Sequence, residues 1–335
     1  MPAEINDIAM RASVAAINKG SSIRVYESDV FGGIREAMYE GKWTGGGSRN
    51  VIARGKIGSP VAATSLGLDF IRVYYIGEDN KVKEICYDKN GKHWYDGALN
   101  NRFKLAPYSG LGAMFLESSS EDLKMIRLYG QLEDDNHIQE FCCKSHSGGR
   151  AIRANGSQTA DKWNRAHSDE TRTDDTKHGW TVGANLGEAI PGSSIAVATW
   201  GTSHNIRVYM QDTNLNIIEK VYDGSRWQTG DLHVKDATPR AALGVTSWTE
   251  HSMVSIRLYY GSGSPGNVIK EKGWDHSTGW YDGDFAQGSI PASHVAAIPK
   301  PVLRVYIQNG TKFTAVTEFE WEGKWKVGQQ ALPPA

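Results

Sequence analysis

The stretch IRVYESDVFGGIRE, residues 23–36, decides the fold, because the chain contains near-copies of it. IRVYYIGEDNKVKE spans residues 71–84, and IRVYMQDTNLNIIE spans residues 206–219. In each copy two segments of alternating polar and apolar residues flank a turn rich in Asp, Asn or Gly, which is the pattern of a β-hairpin. The first copy carries Arg24 on one strand and Glu36, twelve positions later, on the other.

Aligning the chain on the hairpin arginine gives six copies, and successive arginines are separated by 48, 55, 80, 50 and 47 residues. A period just under fifty residues is typical of a propeller blade of about four antiparallel strands. We therefore predict an all-β, six-bladed β-propeller that forms a single domain over residues 1–335. The long third separation predicts an extended, mobile loop insertion at about residues 144–178.

Each copy has the same internal order. A small, alanine-rich strand suited to the crowded centre of a propeller comes first, then the hairpin, and then a Gly–Trp unit such as GKWTGG or TGWYDG. Alternation along the hairpin strands puts Arg24 and Glu36 on one face, where we expect them to lie opposite each other. Tyr39 lies three residues beyond Glu36 and is therefore expected on the opposite face.

In a closed ring, the Arg/Glu face of one blade meets the aromatic face of the next, so six pockets form between blades. We number each pocket by the blade that supplies its arginine. Charged groups form short, directional bonds to hydroxyls, and an aromatic ring covers the apolar C–H side of a sugar. The expected sets, pocket by pocket, are Arg24, Glu36, Tyr87 and Trp94; Arg72, Glu84 and Trp180; Arg127, Glu140, Tyr222 and Trp227; Arg207, Glu219, Trp274 and Trp280; Arg257, Glu271, Trp321 and Trp325; and Arg304, Glu318, Tyr39 and Trp43.

Other interpretations of the repeated Arg–Glu pair remain. The pairs can be ion pairs between blades in a propeller that serves as a scaffold for protein partners, or the acids can belong to a glycosidase-like enzyme. Partly buried ion pairs stabilise a fold weakly, because desolvation offsets their attraction. Six such pairs facing six tryptophans therefore favour a carbohydrate-binding site over packing alone.

Composition excludes several classes of function. The net charge of −1 argues against a nucleic-acid partner, which needs a basic face, and no stretch approaches the length of a membrane span. The histidines lack metal-ligand spacing and no motif of a catalytic nucleophile or phosphate loop appears, so we expect no metal, no cofactor and no enzyme activity.

Three cysteines, Cys86, Cys142 and Cys143, are a poor disulfide framework. Since the N-terminus also lacks the pattern of a signal peptide, we expect synthesis in the reducing cytoplasm.

The six [IL]-R-[VL]-Y strands, the six downstream glutamates and the six Gly–Trp turns together resemble the fungal fucose-binding lectins of the Aleuria aurantia lectin type. The resemblance covers essentially the whole chain. It implies a multivalent homodimer that binds L-fucose and fucosylated oligosaccharides or glycoproteins, host glycans among them, in up to six pockets. It also implies a location on spores or the cell surface, which this chain would reach by a non-classical export route.

Carried over to these residues, the resemblance implies that the arginines and glutamates hold fucose hydroxyls while the facing rings cover its apolar face and methyl group. One pocket departs from the pattern. Cys143 stands where pocket 2 should have an aromatic residue, and the predicted insertion adjoins it. We therefore expect pocket 2 to be the weakest of the six.

Overall fold

A computed structural model describes residues 7–117, 123–146, 179–202 and 204–334. Six antiparallel sheets follow one another along the described chain; five have four strands ordered as in the sequence, and the first has a fifth strand in addition. The innermost strands of successive sheets contact one another, and the innermost strand of the sixth contacts that of the first. The chain is therefore a six-bladed β-propeller, as predicted.

The strands of the first three blades are β1 (Val14–Lys19), β2 (Ser22–Ser28), β3 (Gly33–Tyr39), β4 (Trp43–Gly45) and β5 (Val51–Arg54); β6 (Val61–Leu66), β7 (Phe70–Ile76), β8 (Val82–Asp88) and β9 (Trp94–Asp96); and β10 (Leu111–Leu116), β11 (Leu123–Gln131), β12 (His137–His146) and β13 (Trp180–Glu188). In blade 1 the outer edge is interrupted, because β4 and β5 both pair with β3 and a short 3-10 helix, Ser48–Asn50, separates them.

The strands of the last three blades are β14 (Ala196–Trp200), β15 (Asn205–Gln211), β16 (Ile217–Asp223) and β17 (Trp227–Val234); β18 (Leu243–Glu250), β19 (Met253–Ser262), β20 (Val268–Asp275) and β21 (Gly279–Gly288); and β22 (Val295–Ile298), β23 (Arg304–Ile307), β24 (Thr317–Trp321) and β25 (Trp325–Val327).

Small side chains line the propeller axis, as the alanine-rich first strands predict. The first strands of all six blades surround an axial cavity of about 130 Å³, with Ala15, Gly112 and Ala296 among its lining residues. Larger apolar residues such as Ile23 and Val25 alternate along the second strands and are buried between blades. Burying such side chains contributes roughly 1.5–3 kcal/mol each, so packing between blades is the main source of stability.

The ring closes by contacts between blade 1 and blade 6, and neither blade contains a strand from the other end of the chain. Ala12 donates its backbone N–H to Gln308 Oε1 at 2.9 Å, and Gln308 Nε2 donates to the Ala9 carbonyl at 2.9 Å. One hydrophobic cluster joins Val25 of blade 1 to Tyr306 of blade 6. Gln131 and Gln211, at the position of Gln308 in blades 3 and 4, make similar bonds to the chain entering the next blade.

The predicted insertion is described only at its start. β12 runs to His146, so residues 144–146 continue a strand, and residues 147–178 lie outside the described residues. Within the described part of the chain, no helix has the length and apolar character needed to cross a membrane.

Candidate functional site

The hairpin register differs from the sequence prediction by two residues. Arg24 lies opposite Met38, and Glu36 lies opposite Tyr26. Arg24 and Glu36 still share a face, as diagonal neighbours, because the displacement is even. The prediction that they lie directly opposite each other was wrong because the Arg-to-Glu spacing alone does not fix a hairpin register, which depends on the turn.

The motif tyrosine lies opposite the glutamate in every blade, and in five blades it holds the glutamate by a hydrogen bond. These six tyrosines are buried, and in five blades the hydroxyl donates to the glutamate at 2.8–3.0 Å. In blade 5, Tyr259 likewise lies opposite Glu271. The remaining pairs are Tyr26–Glu36, Tyr74–Glu84, Tyr129–Glu140, Tyr209–Glu219 and Tyr306–Glu318. This role was not predicted from the sequence, although the tyrosine belongs to the repeated [IL]-R-[VL]-Y motif.

In five blades, the glycine that follows the tryptophan by three residues makes room for the carboxylate. A Cβ built on Gly230 would lie 2.1 Å from Glu219 Oε2, far inside van der Waals contact. Four other blades share this close approach, at Gly97, Gly183, Gly283 and Gly328. Backbone N–H groups just beyond these glycines also bond the acid, as when Ala184 donates to Glu140 Oε2 at 3.1 Å. A side chain at the glycine would therefore displace the carboxylate.

Each arginine lies beside a carboxylate of its own blade. The distance from Arg Nε to Glu Oε1 is 4.0 Å in blade 1, 3.3 Å in blade 3 and 3.4 Å in blades 4 and 5. In blade 6, Arg304 Nη1 lies 2.6 Å from Glu318 Oε1. Arg72 in blade 2 pairs with Asp88 at 2.8 Å, and Tyr95 donates to the same aspartate. Arg257 in blade 5 pairs with Asp275 at 3.1 Å in the same way, in addition to its contact with the glutamate. The WYDG sequence that supplies Tyr95 recurs in blade 5.

Burial destabilises the ionised form of four of the pocket glutamates. It raises the pKa of the Glu36, Glu84 and Glu219 carboxyls, and that of Glu271 to about 7. Glu271 Oε2 is buried and has no hydrogen-bond partner among the described residues. A ligand hydroxyl that donates to this oxygen would satisfy it, so Glu271 offers an acceptor for a hydroxyl donor.

The tryptophan of each Gly–Trp unit packs against the motif tyrosine of the preceding blade. The two rings meet nearly at right angles in all six pockets, with centroids 6.1–6.3 Å apart. In pocket 6, Trp43 Nε1 also donates to Glu318 Oε2 at 3.3 Å, which joins blade 1 to blade 6. The structure therefore brings the predicted tryptophans to the predicted Arg–Glu faces.

A second ring of the next blade lies beside that tryptophan in five pockets. Tyr39, for example, lies 5.4 Å from Trp43, and the Arg304 guanidinium lies 5.3 Å from the Tyr39 ring centre. The corresponding rings are Tyr87, Tyr222, Trp274 and Trp321. Each of these pockets thus combines a guanidinium, a carboxylate and a two-ring wall.

Pocket 2 is built differently. Cys143 pairs across the sheet with Trp180, in the position of the second ring, and Trp180 is only 2% exposed. Phe70, two residues before Arg72, packs against the same hydrophobic cluster as Cys143. Phe70, from the same blade as Arg72, thus packs near the small Cys143 thiol, and the Trp180 indole is buried.

Pocket 5 opens into a large cavity. Its volume is about 440 Å³, and its lining includes Arg257 and Glu271 from blade 5 and Trp321 and Trp325 from blade 6. A volume of this size lies within the range of clefts that hold small-molecule ligands. No cluster of His, Cys, Asp or Glu suited to a metal ion occurs in the described ranges.

Comparison with known proteins connects this architecture to one family. The model of the fungal fucose-specific lectins matches residues 8–160 and 166–335. The chain is 36% identical to the fucose-specific lectin of Aspergillus fumigatus over 98% of both chains. It is 31% identical to the fucose-specific lectin of Aleuria aurantia, over 87% of this chain and 99% of that one. Among solved structures, the SapL1 lectin in complex with α-methyl fucoside is 48% identical, with a TM-score of 0.83 and coverage of 99% of this chain and 100% of that chain.

Proposed function

This chain belongs to the family of fungal fucose-specific lectins, and we propose that it binds L-fucose and fucosylated glycans in its inter-blade pockets. The observation that carries the proposal is the repeated set of Arg, Glu and facing indole around the ring. Ion pairs that served packing alone would not need a partly exposed aromatic wall, and such a wall faces the arginine in every pocket except pocket 2. The proposal assigns no catalytic step, because lectins bind sugars without converting them.

The pocket chemistry suits a sugar that has both hydroxyls and a methyl group. The guanidinium supplies N–H donors, and the carboxylate accepts hydroxyl protons in charge-assisted bonds. Its orientation is fixed before binding, as at Glu219, which Tyr209 holds at 3.0 Å. The two rings of the neighbouring blade offer an apolar surface for C–H groups and a methyl group. A preorganised acid and a rigid wall reduce the ordering cost of binding.

Multivalency follows from the ring. Each pocket offers a fucose only an arginine, a glutamate and facing side chains of the next blade, so the affinity for a single fucose should be modest. Several pockets on one ring raise the avidity for a glycan-bearing surface through effective concentration, and a homodimer would double their number. We propose fucosylated glycoproteins, including host glycans, as the partners, and sedimentation analysis tests the dimer.

The cysteines support synthesis in a reducing compartment. Cys86, Cys142 and Cys143 are all free thiols in the structure. We propose that the chain is made in the cytoplasm and reaches the spore or cell surface by a non-classical route. Surface labelling of intact spores with an antibody, compared with lysed spores, tests this location.

Calorimetric titration with methyl α-L-fucoside, after retention on immobilised L-fucose, tests the proposed function. The proposal predicts retention, release by free fucose, and a stoichiometry of several sites per chain. Replacing Arg24 with Ala should remove one site and leave the melting temperature nearly unchanged. A protein that passes through the column, or an R24A variant that unfolds, would favour a scaffold held together by ion pairs.

A further inference from the structure

Two tryptophans outside the repeated site lie against its arginines. Trp200 ends the first strand of blade 4, and Trp248 lies at the matching position of the first strand of blade 5. The Arg207 guanidinium lies 4.7 Å from the Trp200 ring centre, and the Arg257 guanidinium lies 5.1 Å from that of Trp248. The same arrangement in two blades indicates that the two indoles share a role.

Strand register explains why these indoles face pockets 4 and 5. Ala198 pairs with Arg207, and Thr246 pairs with Arg257. Trp200 lies two residues beyond Ala198, so it points to the same side of the strand. The other four blades carry no aromatic residue at this position, where the residues are Lys19, Leu66, Leu116 and Lys300. The third indole is thus specific to pockets 4 and 5.

The indole of Trp248 borders open space. Trp248 lines the 440 Å³ cavity of pocket 5, across from Trp321 and Trp325 of the next blade. Both Trp200 and Trp248 are partly exposed, although an indole that served packing alone would gain from full burial. The Arg257 guanidinium also lies 5.3 Å from the Tyr281 ring centre, and Tyr281 lines the same cavity. The indole of Trp248 therefore adds an aromatic surface to pocket 5 beside the Arg–Glu pair.

We infer that Trp200 and Trp248 form a second aromatic platform, which binds the sugar unit to which fucose is attached. The inference rests on the proposed function and refines it, because it assigns pockets 4 and 5 to fucosylated oligosaccharides and the other pockets to terminal fucose alone. An aromatic face suits the apolar side of a neighbouring pyranose in the same way as the inner wall suits fucose. The cavity of pocket 5 offers room for a second ring.

The test compares two ligand classes on one double variant, W200L/W248L. Wild-type protein and variant are titrated calorimetrically with methyl α-L-fucoside and with a panel of fucosyl-galactose and fucosyl-N-acetylglucosamine disaccharides. In the variant we expect about three- to tenfold weaker binding of at least one disaccharide at two sites per chain. Methyl fucoside affinity should change by less than about twofold. Leu66→Ala, at the matching position of pocket 2, is the control and should change neither ligand class.

Two results would overturn the inference. Equal losses for methyl fucoside and every disaccharide would show that the indoles only hold the arginines in position. Unchanged binding of every ligand would show that they lie outside the sites. Failure of the proposed function would look different, because wild-type protein would then not bind methyl fucoside. Thermal unfolding of the double variant, compared with wild type, identifies any loss that comes from misfolding.

Discussion

Gly230 is the residue whose substitution tests the pocket geometry most sharply. An alanine there would place its Cβ 2.1 Å from Glu219 Oε2, whereas ordinary contact begins near 3.4 Å. The carboxylate must therefore retreat by more than about 1 Å. Its bond to Tyr209, now 3.0 Å, and its contact with Arg207, now 3.4 Å, would both be lost. A hydrogen bond to a charged group contributes about 1.5–3 kcal/mol, so a pocket 4 without its oriented acid should bind roughly ten- to hundredfold more weakly.

Calorimetry with methyl α-L-fucoside measures this loss as a stoichiometry lower by one site per chain. Gly288→Ala is the matched control, because Gly288 lies in the outer strand of blade 5 and no atom lies within 4 Å of the place its new methyl group would take. It should keep the wild-type stoichiometry. The reasoning would be refuted if Gly230→Ala kept every site at wild-type affinity while its crystal structure showed the new methyl group in place.

Three further predictions concern acidity, the altered pocket and stability. Because burial raises the pKa of Glu271 to about 7, its carboxyl is mostly protonated near pH 6 and ionised near pH 8. Since hydroxyl donors favour the ionised form, the affinity of pocket 5 for methyl fucoside should rise about tenfold over that range. Calorimetry at several pH values, on a variant in which the other five pocket arginines are replaced, measures this rise. Glu271→Gln should abolish the pH dependence. Crystals soaked in limiting methyl fucoside should show the lowest sugar occupancy in pocket 2, and Cys143→Tyr should raise that occupancy. Unchanged occupancy in the variant would mean that the buried Trp180, and not the missing ring, limits sugar binding there. Arg35 is 1% exposed and lies 3.0 Å from Asp29. Replacing Arg35 with alanine should lower the free energy of unfolding, measured by urea titration, by about 3–5 kcal/mol. Lys19→Ala, which removes an exposed ion pair, should lower it by less than about 1 kcal/mol.

The sequence predicted the ring and the partners of each pocket because both follow from repetition. Six copies of one motif fix the number of blades, and strand alternation fixes which side chains face which neighbour. Register could not be predicted from the Arg-to-Glu spacing, which varies from 12 in blade 1 to 14 in blade 6. The structure keeps Tyr26 opposite Glu36 and Tyr306 opposite Glu318 despite this difference, so the turns absorb the extra residues.

Features confined to one or two blades were harder to find. Trp200 ends its strand, and Trp248 lies two residues before the end of its own. Both strands were predicted as small and apolar, but the contact of these indoles with arginines depends on how far the strands extend. The pairing of an arginine with a second acid, as in Arg72 with Asp88 and Arg257 with Asp275, was also missed, because acidic residues at hairpin ends are common and only the three-dimensional turn decides which of them reaches the guanidinium.

A crystal structure of the chain grown with excess methyl α-L-fucoside tests the central claim most directly, because it shows the occupancy of each pocket separately. The account predicts sugar density between neighbouring blades, with hydroxyls on an arginine and a glutamate and the methyl group against the rings of the next blade. Pockets that stay empty at saturating fucoside, or sugar found only in the axial cavity or on the outer surface, would contradict it.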